Sequence, residues 1–293
     1  VETPTDDEFT VTIDKVPGAV IDPVGEQTVE KGDDLTVTIK PEDGYVITDV
    51  LVDGKSVGVV DEYVFKDIQA DHSLKVVVQP EKMLTDEHIA YVGGYPDGTV
   101  RPEANITRAE VATIFYRLLT DDARALYESD ASTFTDVKNG AWYTTAIATL
   151  AKAGIIDGYK DGTFRPDANI TRAEFAAIAA RFDHSNPSIS ASFSDISGHW
   201  AKDLIERASA LGWVNGYKDG TFRPDVAITR AEAVTLINRV LDRDTLTSSS
   251  LLDGMKTWPD SAQSAWYYLA VQEATNGHTC TMENGVEVWT ELQ

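Results

Sequence analysis

Cysteine is almost absent from this 293-residue chain: Cys280 is the only one. That count excludes an internal disulfide framework and a cysteine metal site. No metal and no cofactor are expected. Long apolar runs are also missing. None approaches the ~18 residues of a membrane-crossing helix, so no membrane insertion is expected. Basic residues are scarce: Lys+Arg 25 against Asp+Glu 48 leave a formal net charge of −23 at pH 7. A field of that sign makes nucleic acid and anionic membrane surfaces poor partners. Any anionic ligand must be held by local pockets. No secretory leader is visible, and Val1 reads as the start of a processed fragment of something longer.

What is present is a repeat. Gly94-Tyr-Pro-Asp-Gly-Thr-Val-Arg-Pro returns as Gly158-Tyr-Lys-Asp-Gly-Thr-Phe-Arg-Pro and Gly216-Tyr-Lys-Asp-Gly-Thr-Phe-Arg-Pro. Ile-Thr-Arg-Ala-Glu follows each time, ending at Glu110, Glu174 and Glu232. The first part is turn chemistry: Gly supplies positive φ and Pro forbids a helix. The second part opens a helix, with Thr as N-cap and Glu three residues on as a capping box. Apolar residues at Val111, Ile114, Phe115 and Leu118 mark one helical face. Arg108, Arg172 and Arg230 fall at the first helical position, beside unpaired N–H groups and the positive end of the helix dipole. A guanidinium there can grip a carboxylate with two hydrogen bonds. It can equally pair with a neighbouring Asp or Glu of this acidic chain. Replacing the arginine is expected to leave folding intact, because the capping box remains.

Residues 1–82 read as an all-β, sandwich-like module. Phe9-Thr-Val-Thr-Ile13 and Leu35-Thr-Val-Thr-Ile39 alternate, turn signals separate the runs, and Val50–Val57 forms a hairpin about Asp53-Gly54. His72 reads as a solvated side chain in a polar loop. Residues 83–293 read as all-α. Here a second element alternates with the first: Phe134-Thr-Asp136 with Trp142, Phe193-Ser-Asp195 with Trp200, and Trp258-Pro-Asp260 with Trp266. We term it A and the Gly-Tyr/Thr-Arg-Ala-Glu element B. The order B-A-B-A-B-A is offset by half a helix-turn-helix unit. A unit of this size cannot bury its apolar face alone. The economical solution is a ring: elements at about 84–131, 132–189 and 190–245, closed by 255–278. The last A helix is expected to pack against the first B helix, near Val111 and Phe115.

These motifs resemble the S-layer homology domain in three copies, over about 84–277. The resemblance implies a three-pronged helical assembly of pseudo-threefold symmetry, and a non-catalytic role. It also implies non-covalent anchoring, outside the cell, to a secondary cell-wall polysaccharide bearing a pyruvate ketal, bound in grooves between repeats. The family's binding positions fall on Arg108, Arg172 and Arg230, on Asp136, Asp195 and Asp260, on the helix-A tryptophans Trp142, Trp200 and Trp266, and on the loop glycines Gly98, Gly162 and Gly220. Arginine suits a carboxylate, tryptophan a sugar face, aspartate a hydroxyl, and glycine a close backbone approach. Val100 departs from the Phe164 and Phe222 of its sister loops. The chain is expected to be part of a longer surface protein, with residues 1–82 resembling the β modules strung along such proteins and acting as a spacer. The alternative is an adhesin that binds protein or glycan through that module. A calcium loop starting at Asp157 fails, because Ala168 stands where a bidentate Glu is needed.

Overall fold

The computed structural model describes residues 7–183, 185, 187–189 and 192–293. The chain forms two compact units, one of Val1–Met83 with Asp121–Leu126, the other of Leu84–Thr120 with Tyr127–Gln293.

The first unit is built on eight strands: β1 (Glu8–Ile13), β2 (Ala19–Asp22), β3 (Gly25–Glu30), β4 (Leu35–Pro41), β5 (Tyr45–Val52), β6 (Lys55–Gly58), β7 (Glu62–Phe65) and β8 (His72–Pro80). They form a sheet of order β3-β1-β8-β5-β6 and another of order β2-β4-β7. Strands β1 and β8 run parallel; the other pairs are antiparallel. Because side chains alternate faces along a strand, Val11 and Ile13, Val37 and Ile39, and Leu74, Val76 and Val78 share one core. Leu126, from the short helix Asp121–Tyr127, packs against it, so a piece of chain far along in sequence joins this unit. Asp53 and Gly54 both adopt positive φ in the β5–β6 turn, as Asp-Gly hairpins require. The expected loop position of His72 is corrected. It opens β8, and its Nδ1 lies 2.8 Å from Asp53 Oδ2. That hydrogen bond, outweighing the opposing effect of burial, holds the Asp53 carboxyl below its ordinary range.

The second unit carries six of the seven described α-helices. In chain order the helices are α1 (Arg108–Arg117), α2 (the helix already described), α3 (Thr144–Lys152), α4 (Arg172–Ala180), α5 (Lys202–Ala210), α6 (Arg230–Val240) and α7 (Tyr268–Thr275). The B helices α1, α4 and α6 each start on the expected capping box, with both reciprocal hydrogen bonds made. Each B helix packs on the A helix that follows it: α1 on α3, α4 on α5, α6 on α7. The A loop reaches the other way. Asp136 accepts from the amides of Phe164 and Arg165, Asp195 from those of Phe222 and Arg223, and Asp260 from those of Val100 and Arg101. So the last A element does close onto the first B element, but through loops. The Ala274 carbonyl also accepts the amides of Tyr91 and Val92. The expected seat of α7 near Val111 and Phe115 is therefore corrected: its helical partner is α6.

A second closed circuit ties the B elements together. The amide of Ile106 donates to the Ile228 carbonyl, that of Ile228 to Ile170, and that of Ile170 to Ile106, at 3.2, 3.1 and 3.0 Å. All three isoleucine side chains are buried.

The first glycine of each Gly-Tyr pair is set by packing. A Cβ on Gly158 would stand 2.4 Å from Phe134 Cε1 and 2.7 Å from the Thr163 carbonyl; Gly216 meets Phe193 and Gly94 meets Trp258 in the same way. Trp258 thus stands where its sisters are phenylalanine, while Val100 stands where its sisters are Phe164 and Phe222. One side of the first copy gains the volume that the other gives up. Gly158→Ala should cost about 1–3 kcal/mol or more, because the obstructing carbonyl is backbone and cannot step aside. A denaturant midpoint equal to that of the parent chain would refute this close packing.

Residues 83–293 are not all-α. Strands β9 (His278–Glu283) and β10 (Val286–Leu292) form an antiparallel hairpin. Its turn is Asn284-Gly285, both at positive φ, which is the strongest short hairpin signal a sequence carries.

Candidate ligand-binding grooves

The capping boxes put Arg108, Arg172 and Arg230 at the first position of α1, α4 and α6. The expected free N–H groups there are not free. The amides of Arg108 and Ala109 donate to Ala168 and Pro166, those of Arg172 and Ala173 to Val226 and Pro224, and those of Arg230 and Ala231 to Ala104 and Pro102. The third amide is taken by the capping threonine. The helix ends are spent on joining copies, so any anion must be met by the guanidinium.

Each guanidinium crosses to a neighbouring copy. Arg108 donates from Nε to the Phe164 carbonyl at 2.8 Å and from Nη2 to that of Asp157 at 3.2 Å. Arg172 donates in the same way to Phe222 and Asn215, both at 2.9 Å. Arg230 donates to Val100 at 3.0 Å. Two of the three are also neutralised: Arg108 Nη1 pairs with Glu174 at 2.7 Å and Arg230 Nη1 with Glu110 at 2.9 Å. These glutamates are the capping-box residues of the neighbouring helices. Tyr159 and Tyr95 donate their hydroxyls to the same two carboxylates. For Arg172 no carboxylate lies within salt-bridge distance among the described residues. The reading in which the motif arginine pairs with a neighbouring acidic residue is therefore realised for Arg108 and Arg230.

The loop tyrosines, which the sequence reading passed over, lie between two arginines. Tyr159 has Arg108 4.9 Å from its ring centre and Arg165 at 3.8 Å; Tyr217 has Arg172 and Arg223 at 4.9 and 3.9 Å; Tyr95 has Arg230 and Arg101 at 5.1 and 3.9 Å. Cation–π attraction of this kind orders the loop. The nearer arginine pairs with the loop aspartate, Asp161, Asp219 or Asp97. Hydrogen bonds from the loop threonine and then from that arginine hold each of these carboxyls down at about 2. The recurrence of Tyr, Asp, Thr and Arg in every copy was the available signal.

Trp142, Trp200 and Trp266 lie two positions ahead of α3, α5 and α7, in the turn rather than on the helix as expected. They are 64, 64 and 66% exposed, which rules out core filling. Each meets one motif arginine in a groove. Arg108, Tyr159, Glu174 and Trp200 line a cavity of about 450 Å³. Arg230, Tyr95, Glu110 and Trp142 line one of about 230 Å³. Arg172, Asn215, Glu232 and Trp266 line one of about 130 Å³. In every case arginine and tryptophan come from different copies.

The other expected positions fall outside these grooves. Asp136, Asp195 and Asp260 spend both carboxylate oxygens on loop amides. Gly98, Gly162 and Gly220 sit at φ of +80°, +80° and +79° in the Asp-Gly turns. Only glycine takes that conformation without strain.

Residues 90–112, 133–176 and 192–234 match the family model of the S-layer homology domain. The chain carries S-layer homology repeats. Over 222 residues it is 40% identical to cell surface glycoprotein 1 of Acetivibrio thermocellus, a stretch that is 70% of this chain and 9% of that protein. It is 39% identical over 219 residues to the cellulosome-anchoring protein of the same organism, covering 72% of this chain and 48% of that one. An S-layer protein of Bacillus licheniformis is 30% identical over 196 residues, 66% of this chain and 20% of its own. The chain thus spans less than half the length of each of these relatives. The matched segments contain all three S-layer homology arginines, together with Trp142 and Trp200. No described helix is long and apolar enough to cross a membrane.

Proposed function

We propose that the chain anchors a longer extracellular protein to the bacterial cell wall without a covalent bond. On this reading the three repeats form a three-pronged assembly of pseudo-threefold symmetry. The grooves between them bind secondary cell-wall polysaccharide through its pyruvate ketal. One observation carries the reading: the same pairing of a motif arginine with an exposed tryptophan, from different copies, recurs in three grooves. A guanidinium answers the ketal carboxylate with charge and two-pronged geometry. The indole offers an apolar face for the sugar ring. In a chain of −23, only such local cations can receive an anion. The relatives named for anchoring and for S-layers agree with a cell-wall location. The β unit serves as a spacer, and no catalytic role is assigned to the chain.

The Arg172 groove gives the cleanest test, since that guanidinium is not consumed by a carboxylate. A charged hydrogen-bonded contact contributes roughly 1.5–3 kcal/mol, about ten- to a hundredfold in affinity. Arg172→Ala and Trp266→Ala should each weaken binding of that groove to pyruvylated wall polymer by such a factor. Polymer stripped of pyruvate should bind poorly to the parent chain and be indifferent to the arginine. Equal binding of stripped and intact polymer would overturn the ketal reading.

A further inference from the structure

Outside the grooves, the second unit contains a cluster of groups that anchoring leaves unexplained. It lies where β9 and β10 meet α7 and the segment leading into the first repeat. His88, His278, Cys280 and Glu287 each offer one donor atom, all within 4.8 Å of one another. The hairpin assembles three of them by its period of two: His278 and Cys280 share a face of β9, and Glu287 joins from β10. Glu273 of α7 adds a second carboxylate. Among the donors, His278 Nε2 lies 3.1 Å from Glu287, and His88 reaches Glu287 through Nδ1 at 3.4 Å or Cys280 Sγ through Nε2 at 3.5 Å. Tetrahedral zinc, with bonds of 2.0–2.3 Å, spaces its donors about 3.3–3.6 Å apart.

Two further observations point to a cation. First, His278 has its Nδ1 3.0 Å from the Asn276 carbonyl. A carbonyl only accepts, so that nitrogen carries the proton. In the neutral ring Nε2 is then a bare lone pair, and it faces the carboxylates of Glu287 and Glu273 at 3.1 and 3.3 Å. Acceptors so placed repel unless something positive lies among them. A ligating histidine is typically oriented by just such a bond from its other nitrogen. Second, Glu273 is fully buried and its Oε2 makes no hydrogen bond. Buried carboxylates without partners are costly. Arg243, 3.9 Å from Glu273, is the one arginine in the group. With a thiolate and a divalent ion, the formal charges of Glu273, Glu287, Cys280, Arg243 and the ion cancel.

We propose that His88, His278, Cys280 and Glu287 bind one divalent transition-metal ion of the zinc class, clasping the C-terminal hairpin to the segment that precedes the first repeat. Two nitrogens, a sulfur and a carboxylate suit zinc or cobalt and do not suit magnesium or calcium. A thiol ligates a metal as the thiolate, so uptake releases the Cys280 proton and affinity should rise with pH. The proposal departs from the expectation of no metal and no cysteine metal site drawn from a single cysteine, because one thiolate suffices where histidine and carboxylate complete the set.

The test uses the full chain stripped with chelator, with excess magnesium present to occupy surface carboxylates. Titrated zinc should bind at one equivalent and raise the melting temperature, since a ligand of the folded state stabilises it. Cobalt should give tetrahedral absorption with a thiolate-to-metal charge-transfer band. Cys280→Ser should abolish that band and weaken zinc binding at least tenfold. His88→Ala, at a partly accessible side chain, is the second variant should the serine chain fail to fold. If zinc is not taken up stoichiometrically, or if both variants bind it as the parent does, the proposal falls. A buried imidazolium paired with glutamate would then account for the cluster.

Discussion

A chain ending at Asp253 should lose the cooperative unfolding transition of its repeat unit altogether. The truncation removes α7 and the β9–β10 hairpin, and with them Trp258, Tyr267, Tyr268, Val271 and Trp289, all buried. Large apolar side chains contribute about 1.5–3 kcal/mol each on burial, so five of them supply roughly 10 kcal/mol. That equals the whole net stability of an ordinary domain, about 5–15 kcal/mol. The loss also reaches sites far away in sequence. Asp260 no longer holds the amides of Val100 and Arg101. The first loop then no longer presents the Val100 carbonyl to Arg230. Because six of the seven described helices lie in this unit, helical circular dichroism follows it selectively. If the truncated chain melts within a few degrees of the intact one, the closure carries no stability and the loops dock only incidentally.

What could be read from the residues was what is local. Capping boxes, Asp-Gly turns and the alternating strands each need only a handful of adjacent side chains, and they formed where expected. The order of the elements gave the closure, because an unpaired end would leave apolar surface bare. What could not be read was which partner each group selects at long range. Pattern alone paired the last A helix with the first B helix, whereas each B helix takes the A helix that follows it in the chain and the loops make the closure. The three Trp-bearing turns have the composition of a core, yet their indoles face outward, because the helix starts two residues later than the motif suggests. Asp136, Asp195 and Asp260 were legible as fixed positions; that their oxygens are spent on loop amides depends on a chain segment about thirty residues away, or 160 for the last. The Asn284-Gly285 hairpin was legible and was missed under the all-α expectation.

The arginines supply the other large effect, and the three copies should not behave alike. Folding was expected to survive removal of any of them, because the capping box stays. The structure places the three arginines in two different settings. Arg108 and Arg230 are buried and paired with Glu174 and Glu110. Breaking a buried pair by deleting one partner costs about 3–5 kcal/mol, because the other charge stays behind without compensation. Arg108→Ala leaves Glu174 with the Tyr159 hydroxyl and its own capping bond, neither of which carries positive charge. Arg172→Ala removes two hydrogen bonds to carbonyls and orphans no carboxylate, so about 1–2 kcal/mol is expected. The order in stability should therefore be parent, then Arg172→Ala, then Arg108→Ala and Arg230→Ala well below. Removing both members of the pair, as in Arg108→Ala with Glu174→Gln, should recover part of the loss, because no charge is then stranded. Chemical denaturation of the four variants measures this directly. Equal losses for all three single variants would show that the ion pairs contribute nothing beyond the carbonyl contacts, and the distinction between a structural and a ligand-ready arginine would collapse.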